Sequence, residues 1–112
     1  MRGRVVLILF PFDDLTGAKV RPAICLTDPI TTYGHIVAAF VSSAIPTPLL
    51  ATDLLLDPVD PDFGLTGLRV RSVVRLHRLA TLTAAMVRRD LGDLSARHLA
   101  DVDERLRLLF KL

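Results

Sequence analysis

For most of its length this chain offers only short β-branched runs, each cut off by proline or a turn-forming cluster. Helical spacing of apolar residues takes over only near the end. Val5 to Phe10 is apolar on both faces and reads as a buried strand. Pro11 ends it, having no N–H to give a ladder. The cluster Asp13-Asp14-Leu15-Thr16-Gly17 forms turns readily and predicts a loop reaching Lys19. Pro22 holds Arg21 extended, and a second strand runs from Ala23 to Thr27 until Asp28-Pro29 breaks it. His35 to Val41 is a third apolar strand, ending in Ser42-Ser43. Pro46 and Pro48 leave a loop or a weak edge after it. Asp53 to Asp57 is a short strand closed by Pro58 and Pro61. Ser72 to Leu79 alternates, with Val74, Leu76 and Leu79 set against Arg75, His77 and Arg78, so one face is buried and the other wet.

The period then changes. Thr83 caps a short helix through Arg89, and Gly92 stands at its exit, where positive φ is tolerated. Ser95 caps a final helix whose Leu99, Val102, Leu106, Leu109 and Phe110 form one apolar stripe. Asp101–Arg105 and Asp103–Arg107 are acid-first pairs four residues apart, each worth only a few tenths of a kcal/mol on an exposed face. The stripe does the docking. About five strands and a terminal helix predict one domain over residues 1–112. Its class is mainly β (α+β), a small antiparallel barrel with a helix laid across it.

At 112 residues and 51% apolar, the chain builds a core without disulfide or metal staples and is not a disordered tail. Cys25 is its one cysteine. It sits in the apolar run Ala23 to Leu26, which marks a buried structural thiol rather than a nucleophile. The three histidines are scattered without paired spacing, which argues against a metal site; no cofactor is expected. Val5 to Phe10 is too short for a signal-peptide core or a membrane span, so the expected place is the cytoplasm. Net charge is only +2 but unevenly spread. Residues 52–63 carry Asp53, Asp57, Asp60 and Asp62 and no base. Residues 64–89 carry Arg69, Arg71, Arg75, Arg78, Arg88 and Arg89 and no acid. Such a stretch holds phosphates or merely decorates a solvated face, and charge alone does not choose between the two.

The order of segments resembles the MazF/PemK toxins of type II toxin–antitoxin systems, and in particular their PemK-like branch. Val5 through Phe10, with Pro11-Phe12-Asp13-Asp14-Leu15-Thr16-Gly17, resembles that branch's opening strand and Pro-Phe-x-Asp-Leu-[Ser/Thr]-Gly loop. Lys19-Val20-Arg21-Pro22-Ala23 resembles its [Lys/Arg]-x-Arg-Pro-[Ala/Val] signature. Ala39-Phe40-Val41-Ser42-Ser43 resembles the Ala-x-[Ile/Val]-Thr-Ser end of the third strand. Thr66-Gly67-Leu68, Ser72-Val73-Val74-Arg75-Leu76 and Leu91-Gly92-x-Leu94-Ser95 follow in the family's order and spacing. Each motif alone is weak; the ordered set spans essentially the whole chain. An arginine before proline and a Ser-Ser strand exit are ordinary features, and only this order singles them out.

The resemblance implies an SH3-like barrel that forms a homodimer and cuts single-stranded RNA, mRNA included, until a cognate antitoxin protein covers the same surface. It implies Arg21 and Ser42 as the catalytic core. Serine stands where threonine is usual, which keeps the hydroxyl and loses the methyl that restricts its rotamer. His77 stands where the branch commonly has an acid. Metal-free cleavage uses the RNA's own 2′-hydroxyl as nucleophile and leaves a 2′,3′-cyclic phosphate and a 5′-hydroxyl. The planar fork of Arg21 suits the phosphoryl oxygens, and Ser42 adds a hydroxyl donor. Arginines stay protonated to above about pH 12 and make poor bases near neutrality. His77 is the further candidate for proton transfer, since histidines titrate near neutrality. Lys19, Arg69, Arg71, Arg75 and Arg78 are the candidate contacts to further phosphates, and Tyr33 and Phe12 the candidate base-stacking aromatics. Asp13 and Asp14 either orient Arg21 or Lys19 or simply favour the turn. Two rival readings remain. One is a non-catalytic antitoxin- or RNA-binding module of the same fold. The other is a gyrase-poisoning toxin, which needs a C-terminal arm, whereas this chain stops at Leu112.

Overall fold

The computed structural model describes residues 1–10 and 19–112. Among these residues six strands run in the order β1 (Arg4–Phe10), β2 (Lys19–Cys25), β3 (His35–Ser42), β4 (Asp53–Leu56), β5 (Ser72–Thr83) and β6 (Val87–Asp93), followed by helix α1 (Ala96–Phe110). Short 3₁₀ turns occupy Phe63–Thr66 and Ala84–Met86. All pairings are antiparallel and the spatial order is β4-β5-β3-β2-β1-β6. The expected antiparallel, helix-covered architecture is present. Among the described residues β4 and β6 remain outer edges, so the sheet curls without closing into a complete barrel.

Continuous apolar runs arise because both faces of the central strands are covered. Val5, Ile24, Val41, Val74 and Leu76 form one core with Leu94 and Val102 from the helix side. Alternate residues Val6, Ile8, Ala23, Cys25, Ile36, Ala38 and Leu82 form a second, with Met86 and Val87 packed against it. Successive side chains on a strand point to opposite faces, which divides Val5 from Val6. Pairing of β3 with β5 jumps from Ala39–Leu79 to Phe40–Arg75, leaving Leu76, His77 and Arg78 bulged out of register.

Two expectations about the chain's end are corrected. The helix expected from Thr83 to Arg89 is absent: only Ala84–Met86 turns, and Val87–Asp93 becomes a sixth strand on the outer side of β1. Arg4 fastens this edge, its Nε and Nη1 donating to Asp93 at 2.9 Å and Asp90 at 2.8 Å. Gly92 is therefore a strand residue rather than a helix cap. It is required because a Cβ there would lie 2.1 Å from the Leu65 carbonyl oxygen, while one on Gly67, which also has φ +71°, would lie 2.0 Å from that of Leu91. This glycine pair lets the 3₁₀ turn lie flat against β6. Gly92→Ala is expected to cost about 1–3 kcal/mol through overpacking, read as a fall in Tm of roughly 5–15 °C. An unchanged Tm removes the close-approach account.

Helix α1 is capped as expected: Ser95 Oγ accepts the His98 N–H at 3.1 Å and itself donates to Asp62 Oδ2 at 2.6 Å. Val102 is buried, with Leu99 and Leu106 packed on the first core. Phe110 is exposed instead of docked. The expected acid–base pairs along the helix do not form among the described residues. Asp103 pairs with Arg2, and Arg105 donates to the main-chain carbonyls of Asp53 at 2.8 Å and Asp101 at 3.2 Å. No helix among the described residues is long and apolar enough to cross a membrane.

Candidate active site

A single missing donor opens the cleft. β2 pairs with β3 only through Ala23–Cys25 against Phe40–Ala38. Pro22 has no N–H to offer β3, so residues 19–22 continue along β1 alone. β3 meanwhile runs on through Val41 and Ser42 beside Val74 and Val73 of β5. The strands part, leaving a cleft of about 500 Å³. Its lining comes from Arg21 and Pro22 of β2, Phe40 to Ala44 at the end of β3, Leu68 to Val70 after the 3₁₀ turn, and Ser72, Arg75 and Arg78 of β5.

Arg21 is exposed, and no hydrogen bond or ion pair engages it among the described residues. Across the cleft Ser42 is half-buried, and its Oγ accepts the Ala44 N–H at 3.1 Å. Among the described residues the only acceptor near its own proton is the Ala44 carbonyl at 3.4 Å, a weak contact that leaves the proton available to a better one. Arg69 projects from the exposed segment, and Arg78 places Cζ 5.6 Å from the Phe40 ring centroid, a cation–π arrangement. Among the described residues four arginines thus face a space whose lining includes no carboxylate. Anions are drawn to such a concavity.

The remaining sequence candidates stand elsewhere. Lys19, Arg71 and His77 are exposed and outside the lining; His77 lies in the β5 bulge. Tyr33 is 78% exposed in the turn before β3, its ring 6.0 Å from that of His35. Phe12, Asp13 and Asp14 fall outside the described residues. Cys25 is buried, and that burial pushes its thiol above the usual range, as for a structural cysteine.

Sequence reasoning missed two participants. Phe40 was placed in a strand and so passed over as an aromatic facing the cleft. Asp53 enters the sequence reading as the start of a short strand and one charge in an acidic run, with no partner assigned. Its side chain is fully buried, and its Oδ1 accepts from Arg75 Nε at 2.8 Å. The signal was an acid opening an otherwise apolar short strand, since a buried carboxylate demands a cation. The register supplies it: Asp53 and Arg75 are direct cross-strand partners.

One other cluster of ligand-type groups exists among the described residues, formed by Asp60, Asp62 and His98, with donor atoms within 4.8 Å of one another. The cation there is the guanidinium of Arg97, which donates to Asp62 at 2.7 and 3.1 Å. With the Ser95 hydroxyl it holds the Asp62 carboxyl well below the usual carboxylate range. This cluster fastens the start of α1.

Residues 1–110 match the family described as PemK-like, MazF-like toxin of type II toxin–antitoxin system. A search of curated proteins returns no match. Among solved structures the fold is similar to a mycobacterial endoribonuclease in complex with its cognate antitoxin, at TM-score 0.73 and 18% identity, covering 100% of this chain and 95% of that one. It is also similar to the Mycobacterium tuberculosis toxin MazF-mt6, at TM-score 0.71 and 22% identity, covering 96% and 97%. At these identities the likeness is one of fold.

Proposed function

The chain belongs to the PemK-like, MazF-like toxins of type II toxin–antitoxin systems, and on that premise we propose that it is an endoribonuclease whose Arg21–Ser42 cleft cuts single-stranded RNA. The observation that carries this is the convergence of Arg21 and Ser42, from different strands, on one cleft to which the described residues add Arg69, Arg75 and Arg78 and no carboxylate. Its opening at the parting of β2 and β3 suits an extended strand better than a duplex.

In the proposed reaction the 2′-oxygen of one nucleotide attacks the adjacent phosphorus and loses its proton. The bond from phosphorus to the 5′-oxygen of the next nucleotide breaks, and that oxygen gains a proton. The products are a 2′,3′-cyclic phosphate and a 5′-hydroxyl. Negative charge grows on the non-bridging oxygens at the pentacoordinate stage, where the Arg21 fork and the Ser42 hydroxyl donate to it. Arg69, Arg75 and Arg78 hold neighbouring phosphates, while Lys19 and Arg71 act from outside the cleft lining on more distant ones. His77 reaches a proton in this scheme only from outside that lining. A cognate antitoxin covers the cleft, and the working form is a homodimer.

The test is direct. Purified protein is incubated with a long single-stranded RNA, with and without a chelator, and cleaved ends are mapped. Cutting in both arms, with 5′-hydroxyl ends at a repeated sequence, is expected. RNA that stays intact sinks the proposal in favour of a binding module. Intact RNA with inhibited gyrase supercoiling points instead to the gyrase-poisoning reading.

A further inference from the structure

Resting on the reading of Arg75 as an RNA-contacting residue, we infer that Asp53 is a positioning residue that fixes the Arg75 guanidinium for the cleft. Arginine side chains are long and carry much rotamer freedom, so an unrestrained one loses entropy when it grips a phosphate. Arg75 is restrained before RNA arrives. Its side chain is 21% exposed, and its Nε donates to Asp53 Oδ1 at 2.8 Å. Among the described residues no other hydrogen bond engages it, so both terminal amino groups remain unspent on the cleft wall.

The carboxylate is itself fixed. Its second oxygen accepts the Leu50 N–H at 2.8 Å, and the Asp53 N–H returns to the Leu50 carbonyl at 3.0 Å, so the carboxylate cannot turn away. Behind it, Arg105 of α1 donates to the Asp53 carbonyl at 2.8 Å. A brace thus runs from helix through β4 to β5 and ends at the cleft. It spends one arginine donor to orient the others, and it places the compensating negative charge beneath the guanidinium, outside the lining that phosphates meet.

A merely structural role for Asp53 predicts the same loss of activity whether or not Arg75 is present, whereas positioning predicts a loss that depends on it. Cleavage rates are therefore measured for wild type, Asp53→Asn, Arg75→Ala and the double variant. Asp53→Asn is expected to lower cleavage about tenfold, within the range of coupled neighbours, and to add nothing once Arg75 is alanine. Equal losses in both backgrounds, or no loss from Asp53→Asn, overturn the inference while leaving the RNA-cutting reading intact. A second measurement needs no foldable Asp53 variant. In the wild-type protein the Nε–H proton of Arg75, assigned by its disappearance in Arg75→Lys, is expected to exchange with solvent far more slowly than that of Arg69. Equal exchange at the two overturns the brace. RNA left uncut by wild type sinks the activity instead, and the exchange result then decides the brace alone.

Discussion

Arg21→Ala is expected to leave the fold in place and to lower RNA cleavage by about 10³-fold or more, the scale on which arginines act on phosphoryl groups in flight. The two halves of this expectation have separate causes. Arg21 is exposed and outside both cores, and no contact among the described residues depends on its guanidinium. Its removal should therefore change stability by no more than about 0.5 kcal/mol. The catalytic loss arises because a planar pair of donors matches two phosphoryl oxygens at the stage when they carry most charge. Arg21→Lys keeps the charge and loses the fork, so a partial rate is expected from it. The checks are a single-turnover cleavage assay and a thermal melt on the same preparations. Wild-type cleavage by Arg21→Ala removes the assigned mechanism. A collapsed melt assigns the residue to the fold instead.

Ser42→Ala is the second large effect, about 10²-fold in rate, comparable to losing one preorganised donor at a developing oxyanion. The hydroxyl is half committed already: its oxygen accepts the Ala44 N–H at 3.1 Å, which fixes where the atom stands and leaves its own proton with only a 3.4 Å contact. A phosphoryl oxygen in the cleft offers that proton a better acceptor. Ser42→Thr keeps this geometry and adds a methyl that narrows the rotamer choice, so its rate should equal or exceed wild type. If Ser42→Ala cuts as fast as Ser42→Thr, the hydroxyl has no part in the chemistry. KM is expected to move little in either variant, because the donor matters most once charge has developed.

The parts of this molecule that could be read from its sequence are those whose cause is local. Runs such as Val5 to Phe10 and His35 to Val41 announce buried strands because both faces are apolar, and the structure places Val5, Ala39 and Val41 in one cluster and Val6, Ile8, Ile36 and Ala38 in the other. Ser95 announced its helix because a capping hydroxyl acts on the residues just after it. β6 was missed for the opposite reason. Val87 to Asp93 is an edge strand with three exposed charged residues in succession, Arg88, Arg89 and Asp90, and only pairing with β1 gives it strand form. The glycine at position 92 was misread likewise: its constraint is the Leu65 carbonyl, far away in sequence. At the cleft, Arg21 and Ser42 came from motif order, while the acid beneath Arg75 depended on a cross-strand register that no short window contains.

The parting of β2 from β3 at Pro22 also bears on how freely this cleft can vary. Most concavities are bounded by side chains, and replacing one reshapes the hollow. Here the gap opens where two backbones stop bonding, at a ring nitrogen with no hydrogen. Exposed positions around the mouth, such as Arg69 and Val70, can therefore be exchanged without disturbing either core. The skeleton supplies the place of the gap, and its mouth is left to residues the fold does not need.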